Sequence, residues 1–158
     1  MTSTRLSRHI RAPRPAVFRA LLDAEAVQQW MVPEGMTSSV HEYDGREGGT
    51  FRISLTYDDP ENAGKTSGHT DTFRGRFTKV VPNSEVVQVV EFETDDSTMQ
   101  GEMTVTYRLD NADGETVVTG SHENLPRGLS VEDNELGWIM SMDKLAKLVE
   151  GGWLSSDG

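Results

Sequence analysis

Between residues 37 and 123 the chain alternates apolar and polar side chains in runs at 37–43, 50–57, 70–81, 85–94, 102–110 and 116–123. Alternation with a period of two is the mark of strands that bury one face. The separators are Asp44-Gly45 with Gly48-Gly49, Asp58-Asp59-Pro60, Pro82-Asn83, Asp95-Asp96 and Asn111-Ala112-Asp113-Gly114, all rich in residues that tolerate the backbone of tight turns. Such short, regular spacing predicts an antiparallel meander. A further edge-type strand is predicted at 4–11, followed by Pro13 and Pro15, which suit the first turn of a helix carrying Val17, Phe18, Leu21 and Leu22. Asp23 can cap a second short helix at 24–30 with Val27 and Trp30 on one face, ended by Pro33 and Gly35.

The pattern changes to a helical one only at the end of the chain. Ser130 and Asp133 resemble a capping box, and Glu132, Asp133 and Glu135 place negative charge at the positive end of the helix dipole. Leu136, Ile139, Met142, Leu145 and Val149, with Trp138 and Leu148 beside them, read as one apolar stripe, with Lys144 and Lys147 facing outward. The expected fold class is α+β: a curved antiparallel sheet of six or seven strands wrapped on a long C-terminal helix, with two short helices after the first strand. Residues 1–150 are expected to form the single domain, and 151–158 to be a flexible tail anchored at most by Trp153 and Leu154.

Composition narrows the function. There are 158 residues and no cysteine, which removes disulfides, thiolate nucleophiles and cysteine metal sites and fits a cytoplasmic protein. The 15 basic and 26 acidic side chains give a net charge of −11, which repels nucleic acid and anionic lipid. No stretch has the length of a membrane span or the core of a signal peptide. His9, His41, His69 and His122 lack metal-ligand spacing, so no metal and no cofactor is expected. Gly45-Arg46-Glu47-Gly48-Gly49 precedes a strand rather than a helix, so it reads as a hairpin turn and not a phosphate loop. Glu91 and Glu93 alternate with Phe92 and belong on a solvated outer face.

Several local motifs, in order, carry a resemblance. They are Ile10-Arg11-Ala12-Pro13-Arg14-Pro15-Ala16-Val17-Phe18, Leu22-Asp23-Ala24-Glu25 leading to Gln29-Trp30, Gly45-Arg46-Glu47-Gly48-Gly49-Thr50-Phe51, Phe73-Arg74-Gly75-Arg76-Phe77 leading to Val81-Pro82, His122-Glu123-Asn124-Leu125-Pro126, and Gly137-Trp138. The chain resembles START-like (SRPBCC, helix-grip) proteins, in the subfamily homologous to the heat-shock-protein ATPase activator that is grouped with polyketide cyclases. Met31 departs from the family, which usually repeats an aromatic after Trp30. The resemblance implies a cavity between sheet and long helix that takes a hydrophobic or amphipathic small molecule.

The alternating faces agree with that implication: Phe51, Ile53, Leu55 and Tyr57 share one, Phe73, Gly75 and Phe77 another, and Val86, Val90 and Phe92 continue it with Met103, Val105, Tyr107 and Leu109. In the last strand Val118, Gly120 and His122 should all face the helix. Glycine there marks either space kept open for a ligand or a close approach, bulge or bend, and His122 is a polar group on an apolar face that needs a partner. The candidate ligand contacts are His122, Gly120, Trp138, Met142, Tyr57, Tyr107, Phe51 and Phe73. No nucleophile and base can be paired. The leading expectation is non-covalent binding or carriage of a small hydrophobic or aromatic molecule by a monomer or homodimer. The alternative is a polyketide cyclase or aromatase-like enzyme in which His122 or a tyrosine moves a proton. A regulator of a chaperone ATPase ranks last, because that role normally involves an additional N-terminal domain for which this length leaves no room.

Overall fold

The computed structural model describes residues 3–32, 35–58 and 70–152. Pro33, Asp59, Pro60, His69, Trp153 and Leu154, each named above, lie outside them. The order is β1 (Ser3–Ile10), α1 (Arg14–Leu22), α2 (Ala24–Trp30), β2 (Met36–Tyr43), β3 (Thr50–Tyr57), β4 (Thr70–Val81), β5 (Glu85–Phe92), β6 (Met103–Ala112), β7 (Glu115–Glu123) and α3 (Val131–Glu150). The strands form one antiparallel sheet of seven in the order β1-β7-β6-β5-β4-β3-β2. The first two strands therefore hold opposite edges, and α1 and α2 make the crossing between them. Register shifts at Val40/Glu42 and Phe77/Lys79 are bulges that bend their strands, and the sheet curls into a half-barrel around α3.

Turn chemistry sets the hairpins. Strand β6 runs two residues further than the alternation predicts, so the turn contracts to Asp113-Gly114, with φ of 54° and 86°, the twisted two-residue loop that suits right-handed strands. Asp23 Oδ1 accepts from the Ala26 N–H at 3.1 Å and caps α2. Ser130 Oγ accepts from the Asp133 N–H at 3.2 Å and donates to Glu132, so the N-terminus of α3 is capped, with Glu132 rather than Asp133 as the carboxylate partner of the serine. The elbow is fixed by Trp30 Nε1 donating to the Ala20 carbonyl and Tyr43 Oη to the Leu21 carbonyl.

Helix α3 buries Met142, Leu145, Ala146 and Val149, but Leu136 and Ile139 remain 51% and 46% exposed, contrary to the stripe read from the sequence. At about 100° per residue, Leu136 is turned about 120° from Met142, so it cannot share the inward face. That face instead runs through Asn134, Trp138, Ser141, Met142 and Leu145. Lys144 does not face outward either, since its Nζ donates to the Val32 carbonyl at 2.7 Å and ties α3 to the end of α2. On the convex face Arg52 pairs with Glu93 and Arg74 with Glu91, so the acidic residues at the end of β5 and just past it sit among cations as well as water. No described helix is long and apolar enough to cross a membrane.

Candidate functional site

Beneath the first half of α3 a cavity of about 210 Å³ remains. Its walls are Trp30 from α2 and Met31 just after it, Met36 and Leu55 from β2 and β3, Phe73 from β4, Val90 and Phe92 from β5, and Met103, Val105 and Tyr107 from β6. Helix α3 closes it with Asn134, Gly137, Trp138, Ser141 and Met142, and β7 contributes His122. Among the described lining residues there is no lysine or arginine, while Asp71 and Asp133 are present.

Of the candidates from the sequence, His122, Trp138, Met142, Tyr107 and Phe73 meet at this cavity; Phe51, Tyr57 and Gly120 do not. Phe51 is 2% exposed and packs at 5.4 Å from Phe77 and 5.7 Å from Tyr43, plugging the neighbouring part of the sheet. Gly75 makes room for it, since a Cβ there would stand 2.6 Å from the Phe51 ring. Tyr57 ends β3 at the edge pair with Met36, one alternation beyond Leu55. Gly120 is not open space. A Cβ on it would stand 2.2 Å from Trp138 Cζ3 and 2.8 Å from Met142 Cε, so the glycine exists to let the indole lie on the strand.

Trp138 therefore rests across β6 and β7, with Tyr107 at 5.4 Å and His122 at 6.0 Å between ring centroids. Trp30 meets Tyr107 from the other side, edge-on at 6.1 Å. The indole also decides the protonation of His122. Trp138 Nε1, which can only donate, points at His122 Nδ1 at 3.1 Å, and Asn134 Nδ2 points at the same atom at 3.2 Å. Nδ1 must carry the lone pair, so the hydrogen is on Nε2. Nε2 faces the Met103 sulfur at 3.1 Å. Burial lowers the His122 pKa to about 4, so the ring is neutral at physiological pH. Burial likewise raises the Tyr107 hydroxyl well above its ordinary value, and it stays protonated.

Sequence reasoning missed Asp71, Gln88 and Asn134, and the signal for each was available. Asp71 is in phase with Phe73 and Phe77, and Gln88 with Val86 and Val90, so each is a polar residue on an inward face; both are buried, at 2% and 3% exposure. Asn134 precedes Trp138 by one helical turn and so shares its face. Among the described residues no group of three histidine, aspartate or glutamate side chains is placed to hold a metal ion.

A curled antiparallel sheet closed by one long helix over a mainly apolar cavity defines a helix-grip protein. The chain belongs to the Activator of Hsp90 ATPase homolog 1-like protein family, whose model matches residues 11–150. The X-ray structure of a Chromobacterium violaceum protein is similar at 32% identity, with a TM-score of 0.83 over 94% of this chain and 96% of that one. DynU16, from the dynemicin biosynthetic locus, aligns at 20% identity and a TM-score of 0.67 over 95% of this chain and 48% of its own. The Aha1 dimer of Colwellia psychrerythraea aligns at 18% identity and 0.67 over 96% and 98%. These last two share the fold. No functionally curated protein matches the chain.

Proposed function

We propose that the chain binds or carries one small, largely apolar molecule of aromatic character in the cavity between the sheet and α3. The observation that supports this most is the cavity itself: about 210 Å³ of space walled by methionine, aromatic and branched aliphatic side chains, with polar groups at a few points, the usual chemistry of a small-molecule site. Apolar cavities of about 150 Å³ already hold benzene, so a molecule of one or two rings fits the space.

His122 argues for binding over proton transfer. Its Nδ1 lone pair is occupied by Trp138 and Asn134, its other nitrogen carries hydrogen, and a pKa of about 4 makes it a feeble base at neutral pH, where a general base works best with a pKa near 7. A cyclase reading that relies on this imidazole as the base loses its central group.

The test is titration of the purified protein with a set of flat, uncharged aromatic molecules by calorimetry and tryptophan fluorescence. Saturable one-to-one binding with quenching is expected. Trp30 and Trp138 both wall the cavity, so Trp138→Phe should reduce the quenching without abolishing it. Absence of binding across the set would overturn the reading.

A further inference from the structure

The polar groups of the cavity wall specify more than an apolar guest. We infer that the ligand is a neutral ring compound bearing a hydroxyl group, which accepts a hydrogen bond from His122 Nε2–H and donates one to the Asn134 carbonyl oxygen; this rests on the binding reading above.

Unmet bonding capacity on both residues carries the argument. Because Trp138 can only donate, it forces the lone pair onto His122 Nδ1 and leaves the Nε2–H to be satisfied by the Met103 sulfur alone, a weak acceptor. Met103 is an unbranched side chain that can yield to an oxygen at low cost. The same lone pair orients Asn134, since only its amide hydrogens can face Nδ1, so its carbonyl oxygen is turned away. That oxygen is buried and has no hydrogen-bond partner among the described residues. A buried acceptor without a donor is destabilising, and a donor brought by the ligand removes that penalty after a turn of the carboxamide. Two residues of the cavity lining thus hold a poorly used donor, on His122, and an unused acceptor, on Asn134, and a hydroxyl is a group that serves both once the Met103 sulfur and the carboxamide give way.

Charge sets the other half of the class. Among the described lining residues there is no cation, Asp71 and Asp133 are present, and the chain carries a net charge of −11. A carboxylate or phosphate would be desolvated with no partner of opposite sign. Fatty acids and phosphorylated metabolites are therefore disfavoured relative to a neutral phenol or alcohol of the same size.

The experiment compares 2-naphthol, 2-methoxynaphthalene, naphthalene and 2-naphthoate on the full chain at pH 7 by calorimetry. The expected order puts 2-naphthol about tenfold or more tighter than naphthalene. The methyl ether, which accepts but cannot donate, should fall between them, and the carboxylate should be weakest. In Asn134→Leu the advantage of 2-naphthol over its ether should shrink to within about twofold. Should naphthalene equal 2-naphthol, the ether match it, or the carboxylate bind best, the hydroxyl inference is overturned while apolar binding stands. If none of the four binds, both are overturned. The wild-type series decides the matter by itself where the variant does not fold.

Discussion

His122 spends its ring on two donors at one nitrogen and a sulfur at the other, and the cost of that placement appears on titration. Its pKa falls from the usual 6.5 to about 4 because burial penalises the imidazolium. Between those values the unfolded chain takes up a proton that the folded chain refuses, so the contribution to stability is intact above pH 6.5 and is lost as pH falls toward 4. The full loss is roughly 3 kcal/mol. Urea unfolding of wild type and His122→Gln at pH 7 and pH 4 should show the wild type losing that much more than the variant; equal losses would mean that the imidazole is not buried neutral. The difference between the two proteins is the quantity to read, since carboxylates such as Glu93, held low by Arg52, also titrate on the way down. Gly120 gives a second expectation of definite sign. Its φ is not positive, so valine there is not strained by the backbone, but its Cβ collides with Trp138. Overpacking of this kind costs roughly 1–3 kcal/mol. Gly120→Val should lower the melting temperature on the order of 5 °C and displace the indole from His122; an unchanged or raised melting temperature in a calorimetric scan would contradict the close approach.

Helix α3 separates a face that the fold needs from one that it does not. Met142 is 2% exposed and touches both the sheet and the cavity, whereas Leu136 is half exposed. An unpaired carboxylate at Met142 costs several kcal/mol, comparable to the whole margin of a domain, so Met142→Asp should fail to fold cooperatively. Leu136→Asp should stay within about 1 kcal/mol of wild type. Chemical denaturation of both separates the observed face from the stripe first read from the sequence, which would have made the two equivalent. The element boundaries themselves were legible. Every predicted strand and helix is present within a residue or two, because alternation, Asp113-Gly114, Asp23 and Ser130 each impose local geometry. The rotation of α3 was not legible in the same way. Leucine and isoleucine in its first turns drew the stripe toward them, while Asn134 and Ser141, which do face inward, looked like solvent residues.

The cavity shows a similar division between what local chemistry announces and what only tertiary packing decides. Alternation identified which strand face is concave and put His122, Tyr107 and Phe73 on it, and the helical stripe supplied Trp138 and Met142; the five meet at the cavity. It could not tell that Phe51 closes an aromatic cluster with Tyr43 and Phe77, or that Tyr57 stops short of the space at a strand end, since both depend on how far the sheet curls. Nor could it tell which of two meanings the strand glycine had. The indole that fills the place above Gly120 comes from a helix 18 residues later in the chain, and it carries with it the hydrogen bond that fixes His122 as a donor. Polar residues in phase with an apolar face, here Asp71 and Gln88, were the overlooked marker of a wall that is not merely core.

Whether this grip holds a molecule is tested most directly by native mass spectrometry of the protein purified from its own cells. The expected spectrum contains the chain with a single non-covalent mass excess of one small neutral molecule, released on collisional activation and displaced by 2-naphthol. Only the bare chain mass, with no adduct formed on addition of any uncharged aromatic compound, would contradict the cavity as a binding site.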